Sequence, residues 1–393
     1  MKPLTLLATA VVALLGATAL PALAAKPLVY CADASPEGFD PGMWDSASTN
    51  TANNQMFQGL LAFKRGTTEL QPQLASSWQV SADAKTFTFG RFTDPQHAFN
   101  KAFPALFVYP QNMGLAQLLD GECQVAAAVR DVDLAALDGK PDIAVQKLQA
   151  LNISYLSFNM KKATTDQREV REALDIAVDR VAIFKALFPR GDAMQAVSAF
   201  PSAIPGYNKK LKNEFNPERA RQLLAKAGFA KGLEIDLWAL PVARPTNQNG
   251  QLMAQLIQQD WAKIGVKANI ETYEWGEYLK RANNGEHSVY MSGWSGETGD
   301  ADEFLTPNRS CAANQSSVKF CNKDFDRLID EARATPDAKK RLALYEKAQE
   351  IFKRERHWIT MARSTVYFPI RRDVAGFVMA PNGSVNFENV QRK

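Results

Sequence analysis

Between Leu233 and Ile270 the chain reads as one strand–helix–strand unit, and no other feature narrows the fold as much. Leu233, Ile235 and Leu237 alternate with Glu234 and Asp236, the two-residue period of a half-buried strand. Met253, Ile257, Trp261 and Ile264 recur at helical spacing, and Gly265 ends the run. Val266, Ala268 and Ile270 then alternate with Lys267, Asn269 and Glu271. Two such strands joined through a helix pack as a parallel pair with a right-handed crossover. Similar elements flank the unit. Asn216-Pro217-Glu218 is a helix cap followed by proline at the first helical position, with Gly228 closing the helix. Tyr273 to Asn283 is helical in composition, and Ser288 to Met291 is a short strand. Val170, Leu174, Ala177 and Val181 form an apolar helix face, and Thr335-Pro336 opens another helix with Leu344, Ala348 and Ile351 on one side. Residues from about 150 to 365 therefore read as an α/β domain on a mostly parallel sheet.

The rest of the chain has a different texture. From Leu28 to Ala150 the strands are short and interrupted, and Arg91 to Pro104 carries no convincing period. The tail from Val366 to Lys393 is extended and turn-rich. A length of 393 residues allows two or three domains. Joining the front and the tail into one lobe, with the α/β domain as the other, gives two chain crossings, the layout of a hinge-closing binder.

Composition removes several classes of function. With 46 basic and 42 acidic side chains and no long run of one sign, the net charge of +4 is too weak a bias for nucleic acid. The three histidines, His97, His287 and His357, lie far apart, which argues against histidine-rich metal or triad chemistry. There is no G-x-S-x-G elbow, phosphate-binding loop, H-E-x-x-H or G-x-G-x-x-G after a strand, so no enzyme and no cofactor is expected. A carboxylate pair for glycoside hydrolysis has no support beyond the abundance of acidic residues.

The first 24 residues read as a signal peptide: Lys2, an apolar run from Leu4 to Leu20, and the small-x-small site Ala22-Leu23-Ala24. Export to an oxidising compartment gives Cys31, Cys123, Cys311 and Cys321 the reading of disulfides, in one of three connectivities. Cys311 and Cys321 enclose a short polar loop and make the natural local pair. Zinc is the competing reading, and it lacks any Cys-x2-Cys spacing.

In open α/β sheets, ligands bind beyond the carboxyl ends of the strands. Arg244 follows the strand Leu233 to Leu240 and precedes a helix beginning near Asn247 to Asn249. A guanidinium beside a helix N-terminus suits a carboxylate. Glu297 follows Gly293-Trp294-Ser295-Gly296 after the next strand but one. If both strands are parallel, the two opposite charges stand on one rim, and a zwitterion such as a short peptide would satisfy both. From position alone the plainer reading is a pair of solvated loop charges. Trp238, Tyr273, Trp275 and Trp294 lie near this rim, although aromatics of this kind more often belong to the core.

At these residues a resemblance enters. Leu28-Val29-Tyr30-Cys31, Ser35-Pro36-Glu37-Gly38-Phe39, Glu122-Cys123-Gln124-Val125 and Tyr155-Leu156-Ser157-Phe158-Asn159 are its words in the first half. Ile235 to Val242, Thr272 to Ala282 and Phe387-Glu388-Asn389-Val390 are its words in the second. With them the chain resembles the periplasmic peptide-binding proteins of ABC importers, family 5 of the bacterial extracellular solute-binding proteins, and most of all their dipeptide-binding members. The resemblance implies a two-lobed α/β clamshell of the class II-like periplasmic binding protein type, monomeric, which encloses a short peptide and delivers it to an inner-membrane permease. It implies Arg244 on the peptide carboxylate, Glu297 on the α-ammonium with Gly293 and Trp294 beside it, and the disulfides Cys31–Cys123 and Cys311–Cys321.

Its domain layout is a signal peptide at 1–24, a first lobe from 25–57, 105–150 and 367–393, a remnant of an inserted extra domain at 58–104, and a second lobe at 151–366. Two departures stand out. The family has aspartate where this chain has Glu297, and one methylene moves the carboxylate by about 1.5 Å, a change of ~1–3 kcal/mol in a closed pocket. Asp45, from the other lobe, is a candidate second negative group. Most of the inserted domain is missing, so the first lobe's sheet is expected to lose strands and gain an exposed edge. This loss motivates a second reading, a degenerate or repurposed member that no longer binds peptide. A third keeps the clamshell and changes the cargo to glutathione or haem.

Overall fold

The computed structural model of the protein describes residues 28–393 apart from 33–34, 37, 45–46, 82–85, 91–113, 128, 192, 307–310, 312–319 and 384. The signal peptide, Asp45, His97 and the Arg91–Pro104 stretch lie outside the described residues.

Two five-stranded sheets organise the chain. The first runs in the order Tyr30–Cys31, Val125–Ala126, Ala362–Arg371, Ile143–Gln149, with Ala193–Gln195 paired to the start of the long strand. The outer pair of Tyr30 and Val125 is parallel, and the others are antiparallel. Its apolar face buries Leu28, Tyr30, Val125, Val366, Phe368 and Ile370 against Phe377, Phe387 and Val390 of the tail. The Tyr30 ring meets Phe387 edge-on at 5.0 Å, so front and tail share one core. Cys31 and Cys123 are joined, as are Cys311 and Cys321. At the open edge, Val145, Lys147 and Gln149 of the Ile143–Gln149 strand are exposed.

The second sheet has the order Val266–Glu271, Leu233–Trp238, Val289–Ser295, Asn152–Phe158, Trp358–Thr360. Leu233 pairs with Val266 and Leu237 with Val289, both in parallel, as the alternating patterns require. Strand Asn152–Phe158 is antiparallel to both of its neighbours, so the sheet is mixed, not mostly parallel. The reason lies in the crossing between lobes. The chain enters the second lobe at Leu151, beside the edge where the parallel strands end, and must run back across the sheet. Gly296 N–H donates to Leu151 O at 2.6 Å, and Asn152 pairs with Ser295. The entering strand is buried on both faces: Leu156 and Phe158 face one core, and Ile153 and Tyr155 the other. On the return, Met361 and Ala362 still belong to the second lobe's core, and strand Ala362–Arg371 pairs first with Ala193–Gln195 and, from Thr365 on, with Ile143–Gln149 of the first sheet.

Most helices start where their caps stand. Asn216 Oδ1 accepts from Arg219 N–H at 3.0 Å ahead of Pro217–Lys226, and Asn249 Oδ1 accepts from Leu252 N–H at 3.0 Å ahead of Gly250–Ala262. The single apolar face from Val170 to Val181 is instead two helices, Arg168–Ile176 and Arg180–Leu187, and Val181 is 69% exposed. Asp179 caps the second helix, accepting from Ala182 N–H at 3.0 Å, and so ends the first. The helix expected to open at Thr335-Pro336 is Ala338–Glu355, with Asp337 as its cap. Ahead of residue 91 lie two separate antiparallel strand pairs, Leu61–Phe63 with Leu70–Pro72 and Trp78–Val80 with Phe87–Phe89, which leave Leu70, Val80 and Phe87 exposed.

Candidate functional site

The ends of the two adjacent parallel strands carry Arg244 and Glu297. Since Leu233–Trp238 and Val289–Ser295 run the same way, both following loops leave on the rim beside the first lobe. Gly293 sets their contact: a Cβ there would lie 2.2 Å from Thr246 Oγ1 and 2.4 Å from its Cβ. Only glycine lets buried Thr246 seat against that strand, so Gly293 packs one loop onto the other.

Arg244 sits in a tight turn in which its N–H donates to Asn247 O at 2.9 Å and Asn247 N–H returns to Arg244 O at 3.0 Å. Buried Gln248 anchors the turn to the other lobe, its Oε1 accepting from Asp131 N–H at 2.8 Å. Asp131 is itself buried between Tyr367 Oη at 3.2 Å and Arg190 N–H at 3.0 Å. The guanidinium of half-buried Arg244 lies 4.6 Å above the Trp275 ring. Stacking uses the flat face of the guanidinium and orients its N–H edge, the part that binds a carboxylate in bidentate fashion.

Glu297 is exposed on a loop held from below by Glu303. Glu303 accepts from Glu297 N–H at 2.5 Å and from Thr298 N–H and Oγ1 at 2.9 Å. Asp300 caps the helix Ala301–Leu305 and forms a two-pronged pair with Arg341 at 2.7 and 2.8 Å. From the first lobe, Asn50 Nδ2 donates to Glu297 Oε1 at 3.1 Å and Asn382 Nδ2 donates to Glu297 O at 2.7 Å.

Trp294 is 36% exposed on this rim, whereas Trp238 is 2% exposed and belongs to the core. Tyr273 and Trp275 are partly buried against that core. Arg244, Gly293, Trp294 and Glu297 thus fall in one region, while Asp45 lies outside the described residues. Sequence reasoning named Trp275 near the rim but favoured the core for it, and it missed Asn50 and Asn382, which bond to Glu297. The local signal for Trp275 was its place four residues past the end of strand Val266–Glu271. No group of three or more metal-ligating side chains occurs among the described residues. His357 is fully buried, and burial together with the Arg171 charge lowers its pKa to about 3.

Residues 105–316 match the family described as bacterial extracellular solute-binding proteins, family 5, middle region. The dipeptide-binding protein of Escherichia coli (strain K12) is 32% identical, with 96% of each chain covered. That alignment runs over 517 residues against 393 here, so the relative carries sequence that this chain lacks. The haem-binding protein A of Haemophilus influenzae is 28% identical, covering 92% of this chain and 91% of its own. Among solved structures, a dipeptide-binding protein from Pseudoalteromonas sp. SM9913 in complex with Met-Leu superposes with a TM-score of 0.86. It is 24% identical, with 94% of this chain and 100% of that one covered, and it shares the two-lobed fold.

Proposed function

The chain belongs to family 5 of the bacterial extracellular solute-binding proteins, and on that footing we propose that it encloses a short peptide between its lobes and holds it by both charged ends. Arg244 takes the terminal carboxylate and Glu297 the α-ammonium, with Trp294 beside the peptide. The proposal rests above all on the placement of these opposite charges on neighbouring loops, packed together through Gly293 and Thr246 at the edge facing the first lobe. A buried charge is costly unless paired, so a ligand missing either terminus forfeits the match. The activity is binding and release without a covalent step. The mature protein, cleaved after about Ala24, works as a monomer in the periplasm and hands its cargo to an inner-membrane permease. Its first lobe is assembled from the front and the tail of the chain, and its second from about 151 to 366.

Thermal unfolding of the oxidised mature protein with a dipeptide panel tests this. Ligand at 100 times its dissociation constant adds about 2.7 kcal/mol, so free Met-Leu should raise the transition while its C-terminal amide and N-acetyl forms should not. A shift that ignores the blocked ends would overturn the reading. The haem alternative has a relative in its favour, but His287 and His357, the histidines among the described residues, are both fully buried. A transition moved by haem or glutathione and by no dipeptide would establish that alternative.

A further inference from the structure

We propose that Asn50 is a positioning residue for Glu297, clasping its carboxylate across the cleft so that recognition of a ligand amine is coupled to lobe closure; this rests on the reading of Glu297 as the ammonium site. The two residues are 247 positions apart and belong to different lobes. Asn50 lies on the helix Ala47–Met56, which Gln55 ties to the first lobe's tail. Gln55 Nε2 donates to Val385 O at 2.8 Å, and its Oε1 accepts from Phe387 N–H at 3.1 Å. Glu297 is fixed to the second lobe through Glu303 and the Gly296–Leu151 hydrogen bond. The Asn50–Glu297 bond therefore joins two supported elements rather than two loose side chains, and Asn382 adds a second tie from the first lobe to the Glu297 backbone.

The chemistry of the pair suits a cation. An amide donor orients a carboxylate without cancelling its charge, and the bond is strengthened by that charge. A lysine at position 50 would neutralise the group instead. The extra methylene of glutamate, worth about 1.5 Å of reach, carries the carboxylate toward the opposite helix. The departure from aspartate is thereby given a use: the longer side chain spans the gap between lobes.

Calorimetry with Met-Leu and N-acetyl-Met-Leu separates the possibilities. Asn50→Ala should weaken Met-Leu binding about tenfold, change N-acetyl-Met-Leu less than twofold and leave the unfolding temperature in place. Asn50→Gln, which keeps the donor, should recover part of the loss. Glu297→Asp should reproduce the Asn50→Ala effect, and the double variant should be no worse than either single one. If the wild type discriminates between the peptides and Asn50→Ala discriminates equally well, the clasp is wrong and the ammonium site stands. If the wild type binds both alike, the ammonium site falls and the clasp with it. A ligand-independent arm uses spin labels at Lys140→Cys on the first lobe and Lys231→Cys on the second. Asn50→Ala should shift the inter-lobe distances to longer values, and an unchanged distribution would overturn the proposal.

Discussion

At the scale of single residues, the proposed site depends on how its charges are held as well as on the charges themselves. Arg244 has its backbone closed into a turn, its planar face over Trp275 and its loop pinned by Gln248. A lysine keeps the positive charge and loses both the fork and the stacking. Arg244→Lys should therefore weaken binding of a free dipeptide at least tenfold while leaving stability unchanged, as calorimetry and thermal unfolding would record; near-wild-type affinity would mean the charge suffices. His357 makes a second point about placement. Its ring stacks on Phe320 at 4.1 Å, and neither nitrogen has a hydrogen-bond partner. Burial and Arg171 lower its pKa from 6.5 to about 3, so between those values the unfolded chain binds a proton that the folded chain refuses. Stability contributed by this group is present above about pH 6.5 and is lost on acidification toward about pH 3. His357→Phe should flatten the fall in stability across that window, measured by denaturant unfolding from pH 7 to 4; an unaltered slope would exclude His357 as its source.

At the scale of elements, two loops are joined by the absence of a side chain. Gly293→Val would drive a branched side chain into Thr246 and displace the Arg244 turn. Dipeptide affinity should drop by tenfold or more, and an unaffected affinity would show that the loops are not mechanically joined. The strand–helix–strand unit was legible because its period changes from two to 3.6 and back with glycine at the switch. Asn216-Pro217 was legible because capping is local. The break at Asp179 was not, since Val170, Leu174, Ala177 and Val181 keep helical spacing across it, while Asp179 caps Ala182 N–H and gives its own N–H to the distant Asp260 carboxylate. The mixed sheet was hidden for a longer-range reason: the direction of Asn152–Phe158 follows from where the chain crosses between lobes. The rim residues Arg244 and Glu297 were reachable from strand ends and family words, but Asn50 was not. Its meaning depends on a partner from the other lobe.

At the scale of the whole molecule, the shortening bears on one lobe. Both lobes have cores on the two faces of their sheets, but those of the first are smaller, one shared between front and tail and one under Leu118, Leu134 and Tyr367, and Leu70, Val80 and Phe87 of the short strand pairs are exposed. The Cys31–Cys123 bridge spans 92 residues and ties the first sheet's outer strand to the segment leading into its neighbour. Closing a loop of that length contributes about 4–5 kcal/mol. Replacing both cysteines by serine should separate an early unfolding step of the first lobe from a later one of the second in calorimetric scans, while a single transition, only lowered, would mean the lobes unfold as one unit. The central claim is capture of a peptide by both ends, and the calorimetric affinity of Met-Leu against its C-terminal amide, on wild type and on Arg244→Ala, tests it most directly. Removing one partner of a desolvated charge pair costs about 2–5 kcal/mol, so the amide should bind the wild type ~100-fold more weakly, and the two ligands should converge on Arg244→Ala. Equal affinity of the wild type for both would contradict the account.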